Sequence, residues 1–210
     1  MTTTAWIVLA VAAVVAVADW VAVWRRPAPV ENVLKPLVLV ALIAMALALH
    51  PTDDATRAWF VVALVLSLAG DVFLLPDVDR FVPGLASFLL AHVAYVVGFA
   101  VGGRGDQSLV PLIFVLAGLG LSAQEVVRAV ARSDRSLLGP VVVYTAVISM
   151  MVAASYWHGE VMGIGGAVVF AMSDSILARD RFVRARRWMP LAVMVTYHVA
   201  QALLVVSLVR

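Results

Sequence analysis

The sequence predicts an all-α fold, a polytopic membrane helical bundle with eight transmembrane helices. Composition comes first: 64% of the 210 residues are hydrophobic and only 13% are charged, where a soluble domain carries about 25% charged residues. The mean hydropathy is +1.04. The apolar residues also fall in continuous runs of about 20 rather than in alternation. That length suits a helix rising 1.5 Å per residue through a ~30 Å hydrocarbon core, and continuity argues against barrel strands. No room is left for a separate soluble domain, so residues 1–210 read as a single integral membrane domain. Cysteine is absent, which excludes disulfides, thiolate chemistry and cysteine-ligated metal sites. Membrane lipids are the expected surroundings, and nothing in the pattern points to nucleic acid or an obligate protein partner.

The elements follow in chain order. The opening "MTTTAWIVLA" lacks the basic segment of a signal peptide, and its apolar run, 5–24, has the length of a span rather than of a cleaved leader. It meets Arg25 and Arg26. The next runs are 33–50, opening near Pro36, then 57–75, 82–101 and 108–126. The last three are 139–157, opening at Pro140, 160–178 and 189–208. Connections such as "HPTDDATR", "GGRGDQS" and "WHGE" are short and rich in turn residues. Charge sets the expected orientation. The first, third, fifth and seventh loops hold 12 of the 15 arginines and lysines. The other side has Arg57, Arg104 and Arg210. The sequence therefore predicts a cell-membrane protein with both termini outside and the basic loops cytoplasmic. Five arginines in the seventh loop, Arg179, Arg181, Arg184, Arg186 and Arg187, are chiefly a topology signal and could also touch anionic head groups.

A few polar residues interrupt the spans. Asp71, in "VLSLAGDVFLLP", and Asp174, in "VVFAMSDSILARDRF", are the expensive ones, since a carboxylate in hydrocarbon costs roughly 2.5–3.5 kcal/mol on insertion scales. They occupy matching places. Asp71 follows Pro36 by 35 residues and Asp174 follows Pro140 by 34; "HVAY" at 92–95 then answers "HVAQ" at 198–201. This spacing describes two parallel four-helix repeats, about 5–101 and 108–208, which would set the aspartates at equal depth across a shared cavity. His92 and Tyr95 share a helix face, as do His198 and Gln201. Lys35 enters from the cytoplasmic end. Asp19 lies near the interface, where a pair with Arg25 or Arg26 is expected. Most serines and threonines read as glue between helices or as bonds to their own backbone.

Three chemistries fit the aspartate pair. With His92 and His198 it could form a His₂Asp₂ metal set, though no compact HxxxH or HExxH spacing accompanies it. It could couple ions to transport in a carrier. Or it could perform acid–base catalysis on a lipid, one carboxyl protonated and the other not. The candidate catalytic residues are Asp71 and Asp174. The candidate substrate-binding residues are Lys35, His92, Tyr95, Tyr144, Ser173, His198 and Gln201. No metal site and no cofactor are assigned.

Several motifs taken together resemble a known family. They are "KP" at 35–36, "GDVFLL" at 70–75, "FVPGLASFLLAHVAYVVGF" at 81–99, "GAVVFAMSDSILA" at 166–178 and "YHVAQALL" at 197–204. With the eight-span layout they make the chain similar to the YhhN-like, lysoplasmalogenase membrane proteins over nearly its whole length. The resemblance implies that the aspartates of the GD and SD motifs, Asp71 and Asp174, are the catalytic pair. Lys35, His92, Tyr95 and Gln201 match further polar positions, whereas His198 stands where the pattern often has an aromatic residue. It implies hydrolysis of the vinyl ether bond of a lysoplasmalogen, a lysolipid or ether-lipid substrate, to a fatty aldehyde and a glycerophospho-base. Lys35 is then expected to meet the lipid phosphate. The alternative reading is an ion-coupled membrane transporter or lipid-binding membrane protein using the same carboxylates.

Overall fold

The computed structural model describes residues 2–25, 28–103, 105 and 108–209. Arg26, Arg104 and Arg210 of the charge pattern lie outside the described residues. Among those described there are eight long helices: α1 (Thr3–Arg25), α2 (Ala28–Ala48), α3 (Asp54–Phe73), α4 (Phe81–Val101), α5 (Val110–Ser133), α6 (Leu138–His158), α7 (Val161–Phe182) and α8 (Met189–Val206). Two short 3₁₀ turns, Arg135–Leu137 and Ser207–Val209, flank α6 and α8. All eight helices are long and apolar enough to cross a bilayer, and the chain is a multi-pass membrane protein.

Local chemistry sets the helix ends. Asp53 caps α3 by accepting from the Thr56 N–H at 2.6 Å, and Glu160 caps α7 by accepting from the Gly163 N–H at 2.6 Å. Gly159, at φ 88°, stops α6 in the left-handed conformation glycine tolerates. Two boundaries run beyond the apolar segments. The fifth span was expected to end near 126 and the seventh near 178, but α5 continues to Ser133 and α7 to Phe182. The added turns are polar on one face only. Val126 and Val130 stay buried against Val141, and Arg179 of α7 pairs with Glu125 of α5 at 2.5 Å. Pro36 does not open the second helix. It lies inside α2, because Ala28–Lys35, with the polar Glu31 and Asn32, already forms helical turns before it.

The tightest neighbours are the hairpins α3–α4, α7–α8 and α1–α2. α4 also packs on α6, α2 on α3, and α8 on α1 and α2, whereas α5 packs principally on α6 and α7. Lipid is as apolar as leucine, so helices associate in it through close approach and polar ties. Both occur here. A Cβ on Gly166 of α7 would stand 3.1 Å from the Ala200 carbonyl oxygen and 2.8 Å from Leu204. The Ser87 hydroxyl donates to the Leu66 carbonyl at 2.7 Å, and the Ser173 hydroxyl to the Val193 carbonyl at 3.0 Å. The centre is aromatic: Phe60, Tyr95, Phe99 and Phe170 are almost wholly buried. Large apolar side chains such as Phe114, 74% exposed, point outward, as a bilayer requires.

Candidate active site

Asp71 lies in the last turn of α3 and is 1% exposed. Lys35, from α2, brings Nζ to 3.5 Å from Oδ1, and the Tyr197 hydroxyl, from α8, donates to Oδ2 at 2.8 Å. Asp174 lies about two turns before the end of α7. The Tyr144 hydroxyl, from α6, donates to its Oδ2 at 2.9 Å, and His92 Nε2, from α4, stands 3.3 Å from the same oxygen. Each carboxyl is thus held by the helix before its own and by one from the other half of the chain.

The two settings differ chemically. Asp71 faces a lysine, so the pair carries compensating charges inside the bundle. Asp174 faces an imidazole. His92 Nδ1 lies 2.6 Å from the Phe88 carbonyl oxygen, which can only accept, so Nδ1 carries a hydrogen; the tautomer is assigned from this contact. Nε2 faces Asp174 Oδ2, 3.3 Å away. Phe170 stands between the two settings, 4.6 Å from His92 and 5.4 Å from Tyr197 by ring centroids. It fixes both rings by edge-to-face packing.

Both aspartates line one polar cavity of about 150 Å³, together with Glu31, Lys35, Phe88, Ser173 and Tyr197. A second, apolar groove of about 70 Å³ lies among α4, α5, α6 and α7, lined by Leu85, Phe88, Leu119, Ala123, Tyr144, Ile148 and Asp174. Asp174 and Phe88 belong to both. Asp174 therefore stands at the junction of a polar and an apolar space. Asp71 borders only the polar one.

The remaining expected residues divide. Lys35, Tyr144 and Ser173 lie in these linings, and His92 is against Asp174. The Tyr95 hydroxyl donates to Gln201 Oε1 at 2.5 Å; the two residues tie α4 to α8 behind the cavity wall. His198 is elsewhere. Its Nδ1 accepts from Trp20 Nε1 of α1 at 3.1 Å, beside a separate apolar cavity of about 100 Å³. The structure does not bring it to the aspartates, and among the described residues no cluster of three or more His, Asp and Glu residues forms a metal-binding group. Asp19 does not pair with Arg25. It is fully buried, and neither of its carboxylate oxygens has a hydrogen-bond partner among the described residues. Tyr197, the hydroxyl that holds Asp71, was absent from the expected set. Its signal was present: it precedes His198 in "YHVAQ" and sits four residues before Gln201, on the same helix face.

Fold and site together define a polytopic membrane protein with two buried carboxyls lining one cavity. The chain belongs to the YhhN family, whose match covers residues 30–208. It is 30% identical over 193 residues to lysoplasmalogenase TMEM86B of Mus musculus, covering 91% of this chain and 80% of that one. It is 30% identical to human lysoplasmalogenase TMEM86B, over 84% of this chain and 74% of that one. It is also 30% identical to the lysoplasmalogenase of Mycobacterium tuberculosis, over 79% of this chain and 66% of that one. No solved structure matches the chain.

Proposed function

We propose that the protein is a lysoplasmalogen-cleaving hydrolase in which Asp174 is the proton donor and Asp71 the stabilising carboxylate. The observation that carries this division is the position of Asp174 at the meeting of the apolar groove and the polar cavity. A vinyl ether is the point in such a lipid where hydrocarbon chain and polar backbone join. With the first carbons of the chain in the groove and the glycerol in the polar cavity, that bond comes to lie at Asp174.

The chemistry then runs in balanced steps. A proton on Asp174, the carboxyl that His92 faces, passes to the vinyl carbon remote from oxygen. The π electrons form the new C–H bond and leave an oxocarbenium ion. Asp71, kept anionic beside Lys35, stabilises that cation across the cavity. Water adds to the cationic carbon and returns a proton to Asp174, giving a hemiacetal. The hemiacetal collapses: its hydroxyl gives up its proton and becomes the aldehyde carbonyl, its bond to the glycerol oxygen breaks, and that oxygen takes up a proton. Aldehyde and glycerophospho-base leave, with one water consumed. Tyr144 and Tyr197 hold the two carboxyls in place through these changes of charge.

The test is incubation of purified protein, in nonionic detergent, with a 1-alkenyl lysophospholipid and its 1-alkyl and 1-acyl counterparts, read by mass spectrometry. Aldehyde should appear from the alkenyl lipid alone. An untouched alkenyl lipid would remove the reading, and lipid-dependent proton movement in liposomes without product would favour a carrier instead.

A further inference from the structure

We propose that Arg186 and Arg187 form the subsite for the substrate's phosphate, at the mouth of the polar cavity. The proposal rests on the hydrolase reading above and deepens it. A surface depression of about 560 Å³ is lined by Asp180, Ala185, Arg186, Arg187 and Pro190. Asp180 and Pro190 also line the polar cavity that holds both aspartates, so the two spaces share a wall. Lys35, the cation nearest the carboxyls, is buried and committed to Asp71.

Two other arginines near this end are engaged. Arg179 pairs with Glu125, and Arg181 lies 3.9 Å from Asp79 and over the ring of Phe81. Arg186 and Arg187 have no carboxylate partner among the described residues. Each is instead placed by something else. The Arg186 backbone N–H donates to Asp180 Oδ1 at 3.2 Å, which fixes the turn, and the Arg187 guanidinium lies 5.1 Å from the centroid of Trp24. A guanidinium held on an aromatic face keeps its N–H edge free for an anion.

The spacing agrees with the chemistry. Asp174 and Asp180 lie on one helix, six residues apart, a rise of about 9 Å. In an extended glycerophospholipid five bonds separate the ether oxygen from phosphorus, about 6 Å. A lipid with its vinyl ether at Asp174 therefore carries its phosphate toward Asp180 and Pro190, within reach of two flexible arginine side chains. Two charge-assisted, forked contacts to phosphate are the expected interaction.

The same anion chemistry could come from bulk lipid, so the experiment separates the sources. Arg186→Ala/Arg187→Ala protein, Arg186→Lys/Arg187→Lys protein and an Arg184→Ala control are assayed in nonionic detergent without added phospholipid. The substrates are 1-alkenyl-glycero-3-phosphocholine and the phosphate-free 1-alkenylglycerol. The alanine pair should lose at least ~10-fold in kcat/KM on the phospholipid and less than ~2-fold on the alkenylglycerol. The lysine pair should recover part of the loss, and the control should match wild type. Equal losses on both substrates, or none, overturn the subsite. So does a loss seen only in phosphatidylglycerol vesicles and equal for both substrates, the mark of a membrane contact. Thermal stabilisation by uncleavable 1-alkyl-glycero-3-phosphocholine, compared with 1-alkylglycerol, supplies a readout independent of turnover. If wild type cleaves neither alkenyl lipid yet only the phosphate-bearing ligand distinguishes it from the alanine pair, the hydrolase reading fails and the phosphate subsite stands. If neither ligand distinguishes them, the subsite fails.

Discussion

Asparagine at the two aspartates should separate chemistry from stability. In Asp174→Asn an amide nitrogen at the Oδ2 position has two N–H groups, one for the Tyr144 oxygen, 2.9 Å away, and one for the Nε2 of a neutral His92, 3.3 Å away. Both contacts are then kept, and the fold should lose no more than about 1 kcal/mol. The proposed proton donor is gone, and an acid–base group contributes roughly 10²–10⁴ in rate, or about 2.7–5.4 kcal/mol of barrier. Asp71→Asn should also abolish turnover, but it leaves Lys35 buried with no anion. Breaking a buried pair from one side costs about 3–5 kcal/mol, and this variant should melt well below wild type. Adding Lys35→Met should restore stability without restoring activity. Aldehyde release coupled to alcohol dehydrogenase gives the rates, and tryptophan fluorescence during heating gives the melting midpoints in the same micelles. Asp174→Asn retaining more than ~10% of wild-type activity would refute the assignment of the donor. Equal melting losses in the two single variants would refute the argument that the buried Lys35–Asp71 pair makes Asp71→Asn the costlier change.

Three further expectations bear on the groove, the orientation and the caps. Ala123→Trp places an indole in the apolar groove and should raise KM for long alkenyl chains at least ~5-fold while leaving kcat within ~2-fold; a fall in kcat at unchanged KM would place the chain elsewhere. Because the chain has no cysteine, maleimide labelling of Arg184→Cys reports a single site. It should react from the cytoplasmic side only, and labelling only from outside would reverse the orientation. Hydrogen bonds from the Thr56 backbone and side chain hold the Asp53 carboxyl below the ordinary carboxylate range. A value depressed on folding contributes stability above the unfolded pKa and loses it as pH falls through the folded one. Hydrogen exchange in the first turn of α3 should therefore speed up below about pH 4 in wild type, and much less so in Asp53→Asn.

The spans were legible because hydrocarbon imposes a length and a composition on each, and no run escaped that rule. Where α5 and α7 overran, the reason is that hydropathy measures solvent and not helicity. Gln124, Glu125 and Arg128 are good helix formers, and Arg179 finds its partner on a neighbouring helix, which no local pattern reports. Within the site, Asp71 and Asp174 stood out because buried charge is costly, and Lys35 and His92 because few polar residues were available to meet them. Tyr197 was passed over because a tyrosine in a span is cheap and common. His198 was overvalued by analogy with His92. Adjacent residues on a helix differ by 100° in direction, and the phase of α8 turns Tyr197 to the cavity and His198 to Trp20. Phe170 could not be distinguished from ordinary core until its ring was seen between the two carboxyl settings.

The crossed support of the two carboxyls has a consequence for how the chain is made. Synthesis delivers helices to the bilayer from the N-terminus onward, and a lone carboxylate is expensive there. Lys35 precedes Asp71, so the first acid arrives as one arm of a helical hairpin that already holds its counter-ion. His92 and Tyr144 both precede Asp174, so the second acid meets an imidazole and a phenol that are already in place. Of the four side chains that hold the pair, only Tyr197 is late, and α8 then closes the cavity. The order of the partners along the chain thus describes an order of insertion in which each acid follows a partner. A nascent chain ending after α3 should integrate into microsomes, and Lys35→Met should lower the fraction of its third helix that does; no change on that substitution would mean that the translocon, rather than the lysine, shelters Asp71.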